Sequence, residues 1–311
     1  MTMTHTDDRP EWLPSEEFPF QLHNLDLPSG NVSYTDEGDG PTLLFVHAGL
    51  WSFIWRDVIV RLQKDFRTIA LDFPGFGLAA ATDTDPTIPD LSTVLAEFVA
   101  ELDLSDVTLV AHDLGGPVAL GAAAVDPGRY QALVLTNTFA WEPDRGSLRA
   151  MLRTMGSRPV AWLDAATNFL PRMSTSRFGV GRHLNRAGKK AFRGPYHDRS
   201  RRRGIHLLMR SALKSTEHMA RVEAATRGVL NDRPVLTIFG KYNDPWRFQD
   251  RHAASFPDHE GIVVPNGFHF PMTADPDLFA DTLRDWWQRR VASRRSEYRP
   301  ATTRLSRTVV R

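Results

Sequence analysis

The sequence predicts an α/β fold: a mostly parallel sheet covered by helices on both faces, with a helical insertion. Three observations carry this. Short apolar runs alternate with helix-like stretches over residues 31–138 and again from 229. Between Phe139 and Gly228 the strand-like runs vanish, and Arg and Met become frequent. The third is a junction, Leu109-Val110-Ala111-His112-Asp113-Leu114-Gly115-Gly116, where an apolar strand turns directly into the small-residue helix Pro117 to Ala124. So sharp a turn needs small neighbours around one strained residue, Asp113, lifted above the carboxyl edge of the sheet beside a helix N-terminus.

In chain order, residues 1–20 read as a flexible lead-in. Val32-Ser33-Tyr34-Thr35 is a strand, closed by the turn signal Glu37-Gly38-Asp39-Gly40. Thr42 to Val46 is a buried strand ending in His47-Ala48-Gly49-Leu50, and Trp55 to Leu62 has helical spacing. Thr68 to Leu71 is the next strand, followed by Asp72-Phe73-Pro74-Gly75-Phe76-Gly77, which lacks the third glycine of a dinucleotide loop. Leu91 to Leu102 is an amphipathic helix, and Leu133-Val134-Leu135 is a strand ending at Thr136-Asn137-Thr138.

Residues 139–228 read as a helical cap, with helices around Leu148–Met155, Val160–Phe169 and Ile205–Leu213. The Arg199–Arg203 cluster is assigned to a solvated face, the usual fate of a short charge run. Strands resume at Pro234 to Gly240 and Gly261 to Val264, and Leu278 to Trp287 is a closing helix. The core is thus 21–138 plus 229–291, and 292–311 is a basic, disordered tail.

The chain has 311 residues, a net charge of +1 and no cysteine. That charge gives no global field for nucleic acid, and the missing cysteines exclude disulfides, thiolate metal sites and a thiol nucleophile. Neither a secretory signal nor an apolar run long enough for a bilayer is seen, so a cytoplasmic protein with no membrane partner is expected.

Asp113, Asp244 and His269 each follow a strand, in the order nucleophile, acid, base. An aspartate is ionised near neutral pH and needs no base to become nucleophilic. A neutral histidine base needs a carboxylate to fix its tautomer. Asp244 is preferred for this, because it keeps an Asp-Pro pair with Pro245. A helix cap at Asp113 and a turn residue at Asp244 are the plainer alternatives.

The region from about Asn31 to Val291 resembles the α/β-hydrolase superfamily, in its aspartate-nucleophile branch. Within that branch, His112 to Gly121 is most similar to haloalkane dehalogenases. So are Asn137-Thr138-Phe139-Ala140-Trp141, Phe192-Arg193-Gly194-Pro195-Tyr196 and Trp51 to Arg56. The resemblance implies an α/β-hydrolase fold and a two-step reaction on a small apolar substrate, with water and no cofactor or metal. Asp113 forms an alkyl ester, and His269, oriented by Asp244, activates the water that hydrolyses it. Backbone N–H groups of Ala48 and Leu114 form the oxyanion hole.

The chain departs from the family pattern in three places. Leu114 stands where a tryptophan normally follows the nucleophile and holds the halide. His47-Ala48-Gly49-Leu50 replaces the usual His-Gly-Asn-Pro, so the second halide donor is absent. Gly240-Lys241-Tyr242-Asn243-Asp244 is one residue longer than Gly-x-x-Asp, which puts Asn243 at the counted position. Trp51, Asn137, Trp141 and Tyr196 are the candidates for the leaving-group pocket. Epoxide ring opening is the runner-up, though Tyr196 is the only cap tyrosine where two are usual. A non-catalytic binding protein on the same scaffold is the third reading.

Overall fold

Leu43 and Phe45 face one side of a central sheet, while Leu44 and Val46 face the other, as period-2 alternation requires. The computed structural model describes residues 4–5, 9–177 and 179–294. Its strands are β1 (Thr4–His5), β2 (His23–Leu27), β3 (Gly30–Glu37), β4 (Thr42–His47), β5 (Arg67–Asp72), β6 (Val107–His112), β7 (Tyr130–Thr136), β8 (Val235–Gly240) and β9 (His259–Val264). They form one sheet in the order β1-β2-β3-β5-β4-β6-β7-β8-β9. From β5 to β9 all neighbours are parallel, and β1 to β3 add an antiparallel edge. β1 and β2 have no counterpart in the sequence reading.

The chain leaves β4 toward β5 and returns on the other side to β6. The crevice beyond the carboxyl ends of β4 and β6 is therefore the topological switch point, where ligands of open α/β sheets bind. On one face lie the Ile88–Glu101 and Gly115–Val125 helices. On the other lie Arg56–Leu62 and Pro276–Trp286. Ile88–Glu101 begins where Thr87 Oγ1 accepts from Asp90 N–H, and it buries Leu91, Val94, Leu95 and Phe98. Each fully buried side chain of this size contributes about 1.5–3 kcal/mol of transfer free energy.

Residues 9–20 are packed, which corrects the flexible lead-in. Leu13, Phe18 and Phe20 are buried. Arg9 donates to the carbonyls of Phe18 and Phe20 at 2.6 and 2.8 Å, and Glu17 pairs with Arg56 at 2.6 Å. Helices Gly146–Met155, Arg158–Thr167, Phe169–Ser174, Arg186–Arg193 and Gly204–Lys214 make up the insertion. It is pinned internally by a fully buried pair, His206 Nε2 and Asp164 Oδ2 at 3.0 Å. The Thr216–Arg227 helix packs instead on the core, with His218 Nε2 donating to the Pro117 carbonyl at 3.0 Å.

The closing helix runs on through Trp287–Ala292, beyond the expected start of the tail, whose residues 295–311 lie outside those described. Among the described residues no helix is long and apolar enough to cross a membrane.

Candidate active site

Asp113 follows β6 with φ 52°, a left-handed conformation that is rare outside glycine and places its side chain above the sheet edge. Two close approaches explain the glycines behind it. A Cβ on Gly115 would lie 2.8 Å from the Val46 carbonyl oxygen, and one on Gly116 would lie 1.8 Å from Thr138 Oγ1. Larger residues would push the elbow helix off β4 and β7. Because β4 and β6 are in register at His47 and His112, Ala48 follows level with Asp113.

His269 enters from the loop after β9, with Nε2 3.5 Å from Asp113 Oδ2. Its backbone is clamped. Asn137, itself at φ 42°, donates through Nδ2 to the carbonyls of Phe268 and His269, both at 2.8 Å. Its Oδ1 accepts from Gly240 N–H at 3.0 Å, tying the loop to β8. His112 Nε2 donates to the same His269 carbonyl at 2.7 Å.

The residue at His269 Nδ1 is Asn243, whose amide nitrogen lies 3.2 Å away. This corrects the assignment of Asp244. Both Asp244 oxygens are taken by the first N–H groups of the Phe248–Ser255 helix, Phe248 at 2.7 Å and Gln249 at 2.9 Å. A carboxylate at a helix N-terminus satisfies orphan donors and the dipole together, which keeps it from the histidine. The amide can present either end to Nδ1, and with its oxygen turned in it accepts from Nδ1–H.

Burial would raise the Asp113 carboxyl, but the charge and hydrogen bonding of His269, with the Leu114 N–H, outweigh it and hold the group below its ordinary value. The Asp113 carboxylate is therefore ionised at neutral pH. The Leu114 backbone N–H donates to this carboxylate.

Asp113, Leu114, Asn137, Asn243 and His269 meet at a cavity of about 140 Å³, walled by Phe139, Leu148, Met151, Leu152, Met209, Trp246 and Phe248. An apolar cavity of about 150 Å³ holds benzene, so a substrate of comparable size fits. Of the four pocket candidates only Asn137 lines it. The Trp51 indole N–H donates to the Phe192 carbonyl at 2.9 Å, locking Trp51 under the cap. Trp141 is buried against Phe248, beneath the Arg251 guanidinium. Tyr196 is buried away from the cavity, and among the described residues its hydroxyl has no partner. The cavity's Trp246 N–H is engaged by Ser147 Oγ at 2.9 Å. Two of the wall's polar groups, Asn243 and Trp246, and all of its apolar ones went unassigned in the sequence; only the Asn243 spacing hinted at a role.

Beneath the site, burial and the neighbouring His269 push the His47 imidazole down to about 3, and the same two causes push His112 well below its ordinary value. Burial brings His252 to about 4. The unfolded chain protonates all three near pH 6.5, and the folded chain does not, so stability is lost as pH falls below 6.5. Asp72, pushed up to about 6 by burial, works the other way as pH falls from 6 toward 3.8. Three buried imidazoles oppose one raised buried carboxyl, so the net effect between pH 6.5 and 4.5 is a loss of stability. Thermal unfolding across that range should show a steadily falling midpoint. A flat profile would mean that these imidazoles are hydrated in the fold.

Compared with known families, the chain matches the alpha/beta hydrolase family over residues 43–282. It is 31% identical over 271 residues to haloalkane dehalogenase 2 of Mycobacterium tuberculosis, covering 86% of this chain and 94% of the relative. A cis-3-alkyl-4-alkyloxetan-2-one decarboxylase of Shewanella oneidensis is 33% identical over 132 residues, 40% of this chain and 42% of that one. Among solved structures, haloalkane dehalogenase DbeA from Bradyrhizobium elkani superposes with a TM-score of 0.77 at 21% identity, covering 88% of this chain and 99% of that one.

Proposed function

The chain belongs to the alpha/beta hydrolase family and is a haloalkane-dehalogenase-like hydrolase, and from that premise we propose that it cleaves the carbon–halogen bond of small haloalkanes through an ester on Asp113. The observation that carries this is an ionised Asp113, 3.5 Å from His269 Nε2, at the wall of an apolar cavity. The carboxylate attacks the sp³ carbon from the side opposite the halogen, which leaves with the bonding pair as halide. His269 Nε2 then takes a proton from water, and the hydroxide attacks the ester carbonyl. Leu114 and Ala48 N–H groups hold the resulting oxyanion. Collapse releases the alcohol and restores the Asp113 carboxylate. The net change is haloalkane plus water to alcohol, halide and a proton.

The indole N–H of Trp246 and the amide N–H groups of Asn137 are already spent, and the Asn243 amide is held at His269 Nδ1. A hydrogen bond to a charged group is worth about 1.5–3 kcal/mol, or roughly 10–150-fold in rate where it forms only in the transition state. Bromo- and iodoalkanes should therefore turn over at least about tenfold faster than the chloro analogue, with halide release followed by ion chromatography. Leu114→Trp should narrow the gap by placing an indole N–H at the elbow. Equal rates for chloride and bromide, with chemistry rate-limiting, would show that another donor is in play.

The epoxide reading shares the same nucleophile and base but finds no tyrosine for the departing alkoxide, because Tyr196 does not line the cavity. A second reading gains from the same lack of donors. In a strained lactone the departing carboxylate stays tethered to the substrate, and the Shewanella relative is named for such a ring. Adding an alkyl oxetanone to the assay, with alkene and carbon dioxide as products, separates the two.

A further inference from the structure

Charge is distributed very unevenly along this nearly neutral chain. Residues 139–228 hold 19 of the 38 Lys and Arg but only 6 of the 37 Asp and Glu. The insertion therefore carries +13 and the remainder −12, which leaves the net +1 of the whole chain. Much of this positive charge has a structural use. Arg201 donates to the carbonyls of Gly77 and Ala79, both at 3.0 Å, and Arg203 pairs with Asp85. These two dock the insertion on the core, so the Arg199–Arg203 run is not simply a solvated face.

What remains converges elsewhere. A cleft of about 390 Å³ opens between the end of the Arg158–Thr167 helix, the Arg186–Arg193 helix and the 197–202 segment. Arg172, Lys190, Arg193, Arg199 and Arg202 line it, and no acidic side chain does. Arg202 is fixed by donating to the carbonyls of Ala165, Tyr196 and His197, and Arg193 by donating to Lys189. Arg172, Lys190 and Arg199 have no side-chain partner among the described residues. The one nearby acid in sequence, Asp198, caps Ser200 N–H and stays out of the lining.

Asn168 supplies an independent sign of a missing ligand. It lines the cleft, is 8% exposed, sits at φ 55°, and its side-chain oxygen is buried without a partner. A buried amide end without a partner is costly, and a ligand able to donate or accept there would relieve it.

We propose that this cleft binds a small, multiply charged anion of the phosphate class, about the size of pyrophosphate. Two preorganised guanidinium groups and three free cations suit an anion with several negative oxygens, since guanidinium groups bind phosphate oxygens through paired N–H donors. Asn168 lines the same cleft and offers its amide N–H donors to a phosphate oxygen. The concentrated charge of the insertion draws the anion in, and salt screens that attraction.

The test titrates the full chain with inorganic pyrophosphate by calorimetry at low ionic strength. Saturable binding with one anion per chain is expected, weakening as salt rises. Arg172→Gln and Arg199→Gln should each weaken it about tenfold, and the pair more. Arg153→Gln removes the same charge from an exposed position outside the cleft and should change little. All three variants should keep the parent's unfolding midpoint and its turnover, so a loss of binding cannot be a loss of fold. The proposal is overturned if pyrophosphate does not bind, or if all three variants weaken it equally, since that is diffuse charge attraction. It is also overturned if the chain ignores pyrophosphate but sediments with vesicles of anionic phospholipid, because the patch is then a membrane contact.

Discussion

Asp113→Asn abolishes turnover, by more than about a thousandfold, and leaves the fold intact. The two halves of that expectation have separate physical grounds. Asp113 sits at φ 52°, and asparagine is among the few residues that enter the left-handed region readily. Its carbonyl oxygen can still accept the Leu114 N–H and so keep the elbow's local geometry. The amide, however, carries no negative charge to displace a leaving group from saturated carbon, and nothing else at the elbow replaces it. The variant's circular dichroism and unfolding midpoint should match the parent. Residual halide release above a thousandth of the parent rate, in protein checked for deamidation back to aspartate, would remove Asp113 from the nucleophile's role.

What was legible in the sequence was whatever depends on local pattern. β4, β6 and β8 are apolar enough over six residues to be read as buried strands, and the Asp113 elbow is recognisable because its glycines serve contacts that any residue with a Cβ would break. β2 was missed because in His23–Leu27 only Leu25 and Leu27 are apolar, too few to show alternation. Leu13, Phe18 and Phe20 lie too far apart to form a period, and they are buried only because the core and the insertion close over them. The pocket failed for a different reason. Trp51, Trp141 and Tyr196 carry the donors a leaving group needs, but where an indole or phenol points is set by tertiary packing. Trp51 turned to the Phe192 carbonyl instead of the cavity.

The histidine's partner was a contest between two local signals. Counting from Gly240 favoured Asn243; the Asp-Pro pair favoured Asp244. The count matches the geometry, because the Asp244 carboxylate is worth more at the N-terminus of the Phe248–Ser255 helix, where two backbone N–H groups would otherwise lack partners.

That substitution of amide for carboxylate bears directly on the second half of the reaction. His269→Gln should stop hydrolysis yet permit alkylation, so that a covalent ester accumulates on Asp113. The first step needs only the ionised carboxylate, and the second needs a proton acceptor for water, which glutamine is not. The glutamine keeps hydrogen-bonding groups near Asn243, so the loop clamped by Asn137 and His112 stays in place. Intact-protein mass spectrometry after incubation with a bromoalkane should show a gain of the alkyl group less one hydrogen, with the bromine lost. Peptide mapping should put it on the fragment containing Asp113. An epoxide would instead add its entire mass, because no atom departs.

Asn243→Asp should move the other way in an otherwise unchanged chain. A carboxylate at Nδ1 stabilises the imidazolium formed as water gives up its proton, which a neutral amide does far less well; the amide-for-carboxylate change in a serine-protease triad costs about 10⁴-fold. The ester's lifetime should therefore shorten by at least about tenfold. If His269→Gln forms no adduct with a bromoalkane that the parent hydrolyses, the ester mechanism is wrong. If Asn243→Asp leaves the ester's lifetime unchanged, the amide at Nδ1 is not what limits the second step.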